Sequence, residues 1–362
     1  LKIGVYSIAR NEVKEVAGWL QATADADVRL VLDTGSTDGT DVALQRGGGG
    51  SVIVHHATIQ PWRYDDARNA ALALLPGDLD ACIALDMDER LSPGWRTALE
   101  EAWTPNTKLL RCRLRDGLKN YYAMRIHTRT NWRWRTPVHE VLQYRGEGYV
   151  ETLTDTFTIE HYPDTSKPRP VYIPLLNEGV AEAPNDPRLA LILGWQLCLD
   201  GETTDGLHHL NRYLSLSQGV DREELAFVHR LLARYDAPDH VIDHLQRAEA
   251  AYQSSSNLVA LADHYRATGQ WAGCYTFCVT AIARERQNPV TVRYYGDDVD
   301  RLEGPWLHDT ASEAAWNVWD FEAAFAHAVE AHRISPDDQH RDTMERIRRH
   351  LASVIAKERG GT

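Results

Sequence analysis

Four short apolar runs in the first hundred residues, at 2–8, 28–32, 52–55 and 82–85, alternate with helical patterns at 12–24, 38–45 and 67–75. Runs this short, rich in Val, Ile and Leu and separated by helices, fit strands buried on both faces of a parallel sheet. The order predicts an α/β domain with a doubly wound, mostly parallel sheet. From 109 to 158 the pattern stays strand-like and fills with Arg, Trp and Tyr. Pro163, Pro168 and Pro170 then punctuate the chain, so a boundary is expected at 165, followed by an all-α region over 166–362.

With 362 residues the chain can bury two cores, and 43% hydrophobic with 25% charged residues is the balance of an ordinary globular protein. No apolar run approaches the roughly 18 residues that span a bilayer, and residues 1–10 lack the layout of a signal peptide, so a cytoplasmic location and no membrane span are expected. The five cysteines form no Cys-x-x-Cys pair; Cys274 and Cys278, at i and i+4, are expected to pack on one helix face as reduced thiols. A net charge of −13 argues against wholesale coating of nucleic acid or anionic membrane. One stretch departs from this: 108–135 carries +8, leaving −21 for the rest. Gly47–Gly50 lacks the Lys-Ser/Thr of a phosphate-cradling loop and reads as a flexible turn, native or introduced as a linker.

Chemistry is concentrated where the apolar runs end. The run 82–85 passes directly into Asp86-Met87-Asp88-Glu89. Carboxylates at i and i+2 off a strand end can hold Mg²⁺ or Mn²⁺ while water and a diphosphate fill the remaining positions, although the same pattern arises in solvated turns. The first run ends in Ala9-Arg10-Asn11-Glu12, which would put backbone and small side chains of Ala9, Asn11 and Glu12 beside a nucleotide. The second ends in Asp33-Thr34-Gly35-Ser36-Thr37-Asp38-Gly39-Thr40. Its glycines permit a tight turn, Asp33 and Ser36 could reach a base or ribose, and Asp38 could cap the next helix; a capped βα turn without ligand is the plain alternative.

The order and spacing of "ARNE", "LVLDTGSTDGT", "W…ARNAAL" and "IALDMDERLSPGW" resemble the nucleotide-binding half of family-2 glycosyltransferases with the GT-A fold, over roughly residues 2–215. The later "WRTPVHEVL" and "IEHYPDTSKPRPVYIPLLNEGV" resemble a subgroup with a tetratricopeptide-like tail. Helix-turn-helix patterns at 187–216, 257–287 and 311–336, with Gly201, Gly269 and Asp320 at their turns, are similar to such repeats, irregularly spaced. The resemblance implies an Mn²⁺- or Mg²⁺-dependent transfer from a nucleoside-diphosphate sugar, UDP-linked, with inversion. By position, Asp33 and Arg68 would contact the base, Asp86 the ribose or the metal's surroundings, Asp88 the metal, and His161 would complete the metal site. The family's downstream Glu-Asp pair is not evident; Val138-His139-Glu140 stands in its place.

An inverting transfer needs a base for the acceptor's proton, and Glu140 is the expected one, with His139 in reserve. Against this, Glu140 could simply pair with a nearby arginine, and His139 and His161 could be structural. The acceptor is left open between a glycan or lipid-linked saccharide, a peptide, and DNA. For DNA, arginines of "MRIHTRTNWRWRTPVHE" would bind phosphates while Trp132 and Trp134 stack bases, unless strand alternation buries both rings. The helical region could grip the acceptor, buttress the catalytic domain or form a homo-oligomer. The alternative function is a non-catalytic adaptor built on a sugar-nucleotide fold.

Overall fold

The computed structural model describes residues 1–117, 119–148, 150–164, 172–217, 221–287, 301, 302 and 304–360. It divides into two compact units, Leu1–Leu189 and Ala190–Thr362. The boundary expected at 165, with Pro168 and Pro170, lies outside the described residues.

In the first unit the alternating pattern becomes β1 (Ile3–Ala9), α1 (Val16–Ala22), β2 (Val28–Asp33), α2 (Thr40–Gly47), β3 (Val52–His56), α3 (Tyr64–Leu74) and β4 (Ala81–Ala84). A short β5 (Glu89–Leu91) and α4 (Trp95–Ala102) follow. The Arg-rich stretch then supplies β6 (Leu109–Asp116), β7 (Lys119–His127), β8 (Trp132–Arg135), β9 (Val141–Tyr144) and β10 (Glu151–His161). Eight strands form one sheet in the order β3-β2-β1-β4-β7-β6-β10-β5, while β8 and β9 form a separate two-stranded ribbon. Pairings among β3, β2, β1 and β4 are parallel, as is β6 with β10; β7 and β5 run antiparallel to their neighbours. The sheet is therefore mostly parallel, with an antiparallel insertion beyond β4.

Alternation along the strands sorts two cores. Ile3, Val5, Val31, Ile83 and Leu85 pack with Trp19 of α1, Leu44 of α2 and Trp95 and Leu99 of α4. On the other face Tyr6, Leu30, Leu32 and Cys82 meet Ala71 and Leu72 of α3 together with Trp132, Trp134 and Leu142 of the ribbon. Burying a Leu- or Ile-sized side chain contributes about 1.5–3 kcal/mol, so both faces stabilise the sheet. The unit ends in α5 (Ile173–Glu182) and the start of α6 (Pro187–Leu199).

The second unit is helical throughout its described residues: the rest of α6, then α7 (Thr203–Leu216), α8 (Arg222–Tyr235), α9 (Val241–Ala251), α10 (Ser255–Ala267), α11 (Trp271–Gln287), α12 (Trp306–Asn317), α13 (Phe321–Ile334) and α14 (Asp338–Gly360). Each helix from α7 on packs on its sequence neighbour, the pattern of stacked helix hairpins. The three expected hairpins are α6–α7, α10–α11 and α12–α13. Between α6 and α7, a Cβ on Gly194 would stand 2.9 Å from Gly206 O, so only glycine allows this approach. Cys274 and Cys278 are buried on one face of α11, and all five cysteines are free. No described helix is long and apolar enough to cross a membrane.

Candidate active site

In an open α/β sheet the ligand crevice opens where strand order reverses, outside the carboxyl ends of the strands. Here that point lies between β1 and β4, flanked by β2, and Ala9, Asn11, Glu12, Asp33, Ser36, Asp86 and Asp88 end or follow those strands; Arg68 comes from α3, His139 and Glu140 from the β8–β9 loop, and His161 from the end of β10. After β1 the chain turns through Asn11, whose φ of 58° is one that Asn tolerates better than most residues. Asn11 N–H donates to Ser36 Oγ (2.9 Å) and Asn11 Oδ1 accepts from Thr37 N–H (2.8 Å). Glu12 N–H donates to Thr40 Oγ1 and Val13 N–H to Asp38 Oδ2, while Thr34 N–H and Oγ–H both donate to Ala9 O. The loops after β1 and β2 are thus bonded into one wall. Asp38 also accepts from Thr40 N–H at 3.0 Å, satisfying one of α2's first donors.

Asp33 ends β2 and is 2% exposed. Its Oδ1 accepts from Gly35 and Ser36 N–H at 2.9 and 2.8 Å, where Gly35 takes φ 107°. Its Oδ2 is buried without a hydrogen-bond partner. A buried carboxylate oxygen left unbonded costs free energy, which a donor group on a ligand would recover.

Around β4 lies a network of two guanidiniums and three carboxylates. Arg68, from α3, donates to Asp86 through both terminal nitrogens (2.7 and 3.0 Å) and through Nε to Glu140 (2.7 Å), with its guanidinium 5.1 Å from the Trp134 ring centre. Arg125, from β7, donates to Asp86 (3.1 Å) and Glu89 (2.5 Å), and Glu89 accepts from Asp86 N–H at 2.9 Å. Burial alone would raise the pKa of Asp86, but the charges of Arg68 and Arg125 outweigh it and hold the carboxyl well below the usual range. Glu89 goes the other way: burial pushes it up despite Arg125.

Asp88 faces elsewhere. His161, at the end of β10, places Nε2 3.1 Å from Asp88 Oδ2 and Nδ1 3.3 Å from Asp116 Oδ1. The bond to Asp88, with the neighbouring carboxylates, raises the His161 pKa to about 9. Register explains the meeting: His161 pairs with Glu89 across β10 and β5, and Tyr162 N–H donates to Asp88 O at 2.8 Å. Among the described residues no group of three or more His, Cys, Asp or Glu side chains is arranged to hold a metal. Two groups do stand together, Asp88 and His161, both partly solvent-accessible; they are bonded to each other and the raised pKa keeps the imidazole protonated at pH 7, so a metal would have to displace that proton to bind both. A carboxylate and an imidazole suit Mn²⁺, and cations that keep several waters or phosphate oxygens need few protein ligands. Asp86 is turned to the arginines instead.

His139, in the loop between β8 and β9, has φ 52°, and its carbonyl accepts from Arg188 at 2.9 Å. Solvent reaches its ring, yet the protein packed around it and the Arg188 charge lower its pKa. Tyr172 lies 5.3 Å from the ring, centre to centre.

Two expectations are corrected. Trp132 and Trp134 are 9% and 3% exposed, and Trp134 Nε1–H donates to the buried Tyr6 OH at 2.8 Å, so neither ring can stack a base. Strand alternation turned both into the core. Arg125 was expected among the phosphate-binding arginines and is instead buried against Asp86 and Glu89, while sequence reasoning gave Glu89 and Asp116 no site role. Glu89 adjoined a recognised motif; the other two needed the antiparallel insertion to bring them in.

No protein-family model matches the chain, and no curated protein does. Solved structures similar to it include MamA (16% identity, 45% of this chain and 81% of that one, TM-score 0.35). Others are YrrB, described as a TPR protein with an unusual peptide-binding site (11%, 46% and 78%, 0.35), and TTC0263, a thermophilic TPR protein of Thermus thermophilus (16%, 50% and 89%, 0.32).

Proposed function

We propose that the first unit is a metal-dependent, inverting glycosyltransferase that moves a sugar from a nucleoside-diphosphate sugar, UDP-linked, to an acceptor hydroxyl. The observation that carries this reading is the buried carboxylate oxygen without a partner at Asp33, at the carboxyl end of β2, and it is supported by the partly open Asp88–His161 pair just beyond β4 in the chain. Asp33 would accept from an N–H of the base, and the bonded loops after β1 and β2 would line the ribose. A divalent cation held by Asp88 and His161 would supply Lewis-acid stabilisation of the departing diphosphate.

Glu140 would take the acceptor's proton. Its Oε1 is fixed by Arg68, which orients the carboxylate and leaves Oε2 for the acceptor. His139, its pKa lowered and its imidazole neutral at pH 7, is the second candidate. Transfer from a labelled nucleotide sugar tests the pair: Glu140→Gln is expected to slow turnover by about 10²–10⁴ while donor affinity stays unchanged. Lost donor affinity with single-turnover chemistry intact would remove Glu140 from the role.

A further inference from the structure

The ribbon of β8 and β9 carries a cluster that this site leaves unused. Its register sets Arg133 against Gln143 and Arg135 against Val141. With Trp132, Trp134 and Leu142 buried, alternation leaves Arg133 and Arg135 exposed on the opposite face. Arg145 follows β9, exposed, its N–H bonded to Asn131 O at 2.7 Å. Among the described residues none of these three guanidiniums has a carboxylate partner.

Alternate residues on an extended strand stand about 6.8 Å apart, close to the spacing of successive phosphates along a nucleic-acid strand. Guanidinium forks match phosphate oxygens, and antiparallel ribbons are an established way to meet nucleic acid. Beside the ribbon lies a cavity of about 530 Å³ whose lining includes Trp132, Arg135, Val141, Leu142, Tyr144 and Asp186. Glu140 directly precedes β9, with its carboxylate bonded to Arg68 and outside the cavity lining.

Resting on the glycosyl-transfer reading above, we propose that the acceptor is a nucleic-acid strand that bears the acceptor hydroxyl and is held through its phosphates by Arg133, Arg135 and Arg145. The acceptor hydroxyl oxygen bonds to the anomeric carbon as that carbon's bond to the diphosphate oxygen breaks. The bonding pair leaves on the diphosphate, and the hydroxyl proton passes to the Glu140 carboxylate. The negative charge of the remaining chain confines phosphate contact to the ribbon, so affinity is expected to be moderate and steeply salt-dependent.

Fluorescence anisotropy with a labelled DNA strand of about 20 nucleotides, alone and as duplex, tests this. Three phosphate contacts predict a fall in affinity of about 20- to 40-fold between 50 and 200 mM salt. The combined R133Q, R135Q and R145Q variant is expected to lose at least about tenfold in affinity and most of that salt slope, while Arg115→Gln stays within about twofold. Absence of binding at 50 mM salt, an equal loss in Arg115→Gln, or tighter binding to phosphatidylserine vesicles than to DNA would overturn the proposal. Thermal shift with UDP and Mn²⁺ on the same preparations separates the two readings. Donor binding without DNA binding defeats only this inference; DNA binding without donor binding defeats the transferase.

Discussion

The arginines of β6 and those of the β8–β9 ribbon come from one cationic stretch of sequence and meet opposite fates. On β6, Arg111 donates to Glu151 at 3.2 Å, Arg113 is paired with Asp155, and Arg115 approaches Glu160 at 3.5 Å. All three carboxylates belong to β10, the strand beside β6 in the sheet. The apparent cationic surface at 111–115 is thereby neutralised by residues some 40 positions later. Arg133 and Arg135 sit on a two-stranded ribbon whose second strand offers Gln143 and Val141, and among the described residues neither has a carboxylate partner. A run of like charge stays exposed and unneutralised only where its strand neighbours offer no opposite charge, and the fold decides which neighbours those are.

Arg68 sets the upper end of this contrast, being buried and shared between Asp86 and Glu140. Arg68→Ala is expected to lower unfolding stability by about 3–5 kcal/mol in a urea titration, because it strips a partner from two largely buried carboxylates. Arg133→Gln is expected to stay within about 0.5 kcal/mol. Similar losses from the two substitutions would erase the distinction between structural and available arginines.

The ribbon's anchor responds to acid. His127 is fully buried, its Nε2 2.9 Å from Tyr6 OH and its Nδ1 2.8 Å from Thr128 O, and burial lowers its pKa from 6.5 to about 4. With Tyr6 accepting from Trp134, the consistent arrangement is a neutral ring that donates at Nδ1 and accepts at Nε2. Between pH 6.5 and 4 the unfolded chain takes a proton that the folded one refuses, so stability falls as pH falls through that window, by about 3 kcal/mol at its foot. Denaturant midpoints at successive pH values measure it, and His127→Gln should flatten the decline. An unchanged slope in the variant would place the acid sensitivity elsewhere. The smallest effect belongs to the exposed end of the β6–β10 ladder, where Arg115→Gln should cost no more than about 1 kcal/mol.

The first four strands were legible because each is a short unbroken apolar run, and their ends fell within one residue of expectation; α1 to α3 were found with ends up to four residues off, and β5 and α4, whose stretches carry no such run, were not expected. The α8–α9 hairpin was not legible. Its turn runs through Pro238 instead of glycine, and α8 buries His229 and Arg230 among its apolar residues, interrupting the stripe. Asp33, Asp86, Asp88, Arg68, Glu140 and His161 were singled out from the sequence, and an arginine beside Glu140 was anticipated as the plain alternative, but the other partners were not. Which carboxylate faces an arginine and which faces a histidine depends on β7 and β10, whose positions in the sheet follow from pairing across the insertion, which local spacing does not encode. The two tryptophans show the same limit: alternation allowed burial, and only the packing of the ribbon against Tyr6 decided it.

The most direct test of the account is the unfolding midpoint of the full chain with UDP, with Mn²⁺, and with both, in the native sequence and in Asp88→Asn. The account predicts stabilisation that needs both ligands together, about 2.7 kcal/mol at a hundredfold excess over the dissociation constant, and that disappears in the variant. A midpoint that ignores the nucleotide, or a shift of the same size in Asp88→Asn, would contradict it.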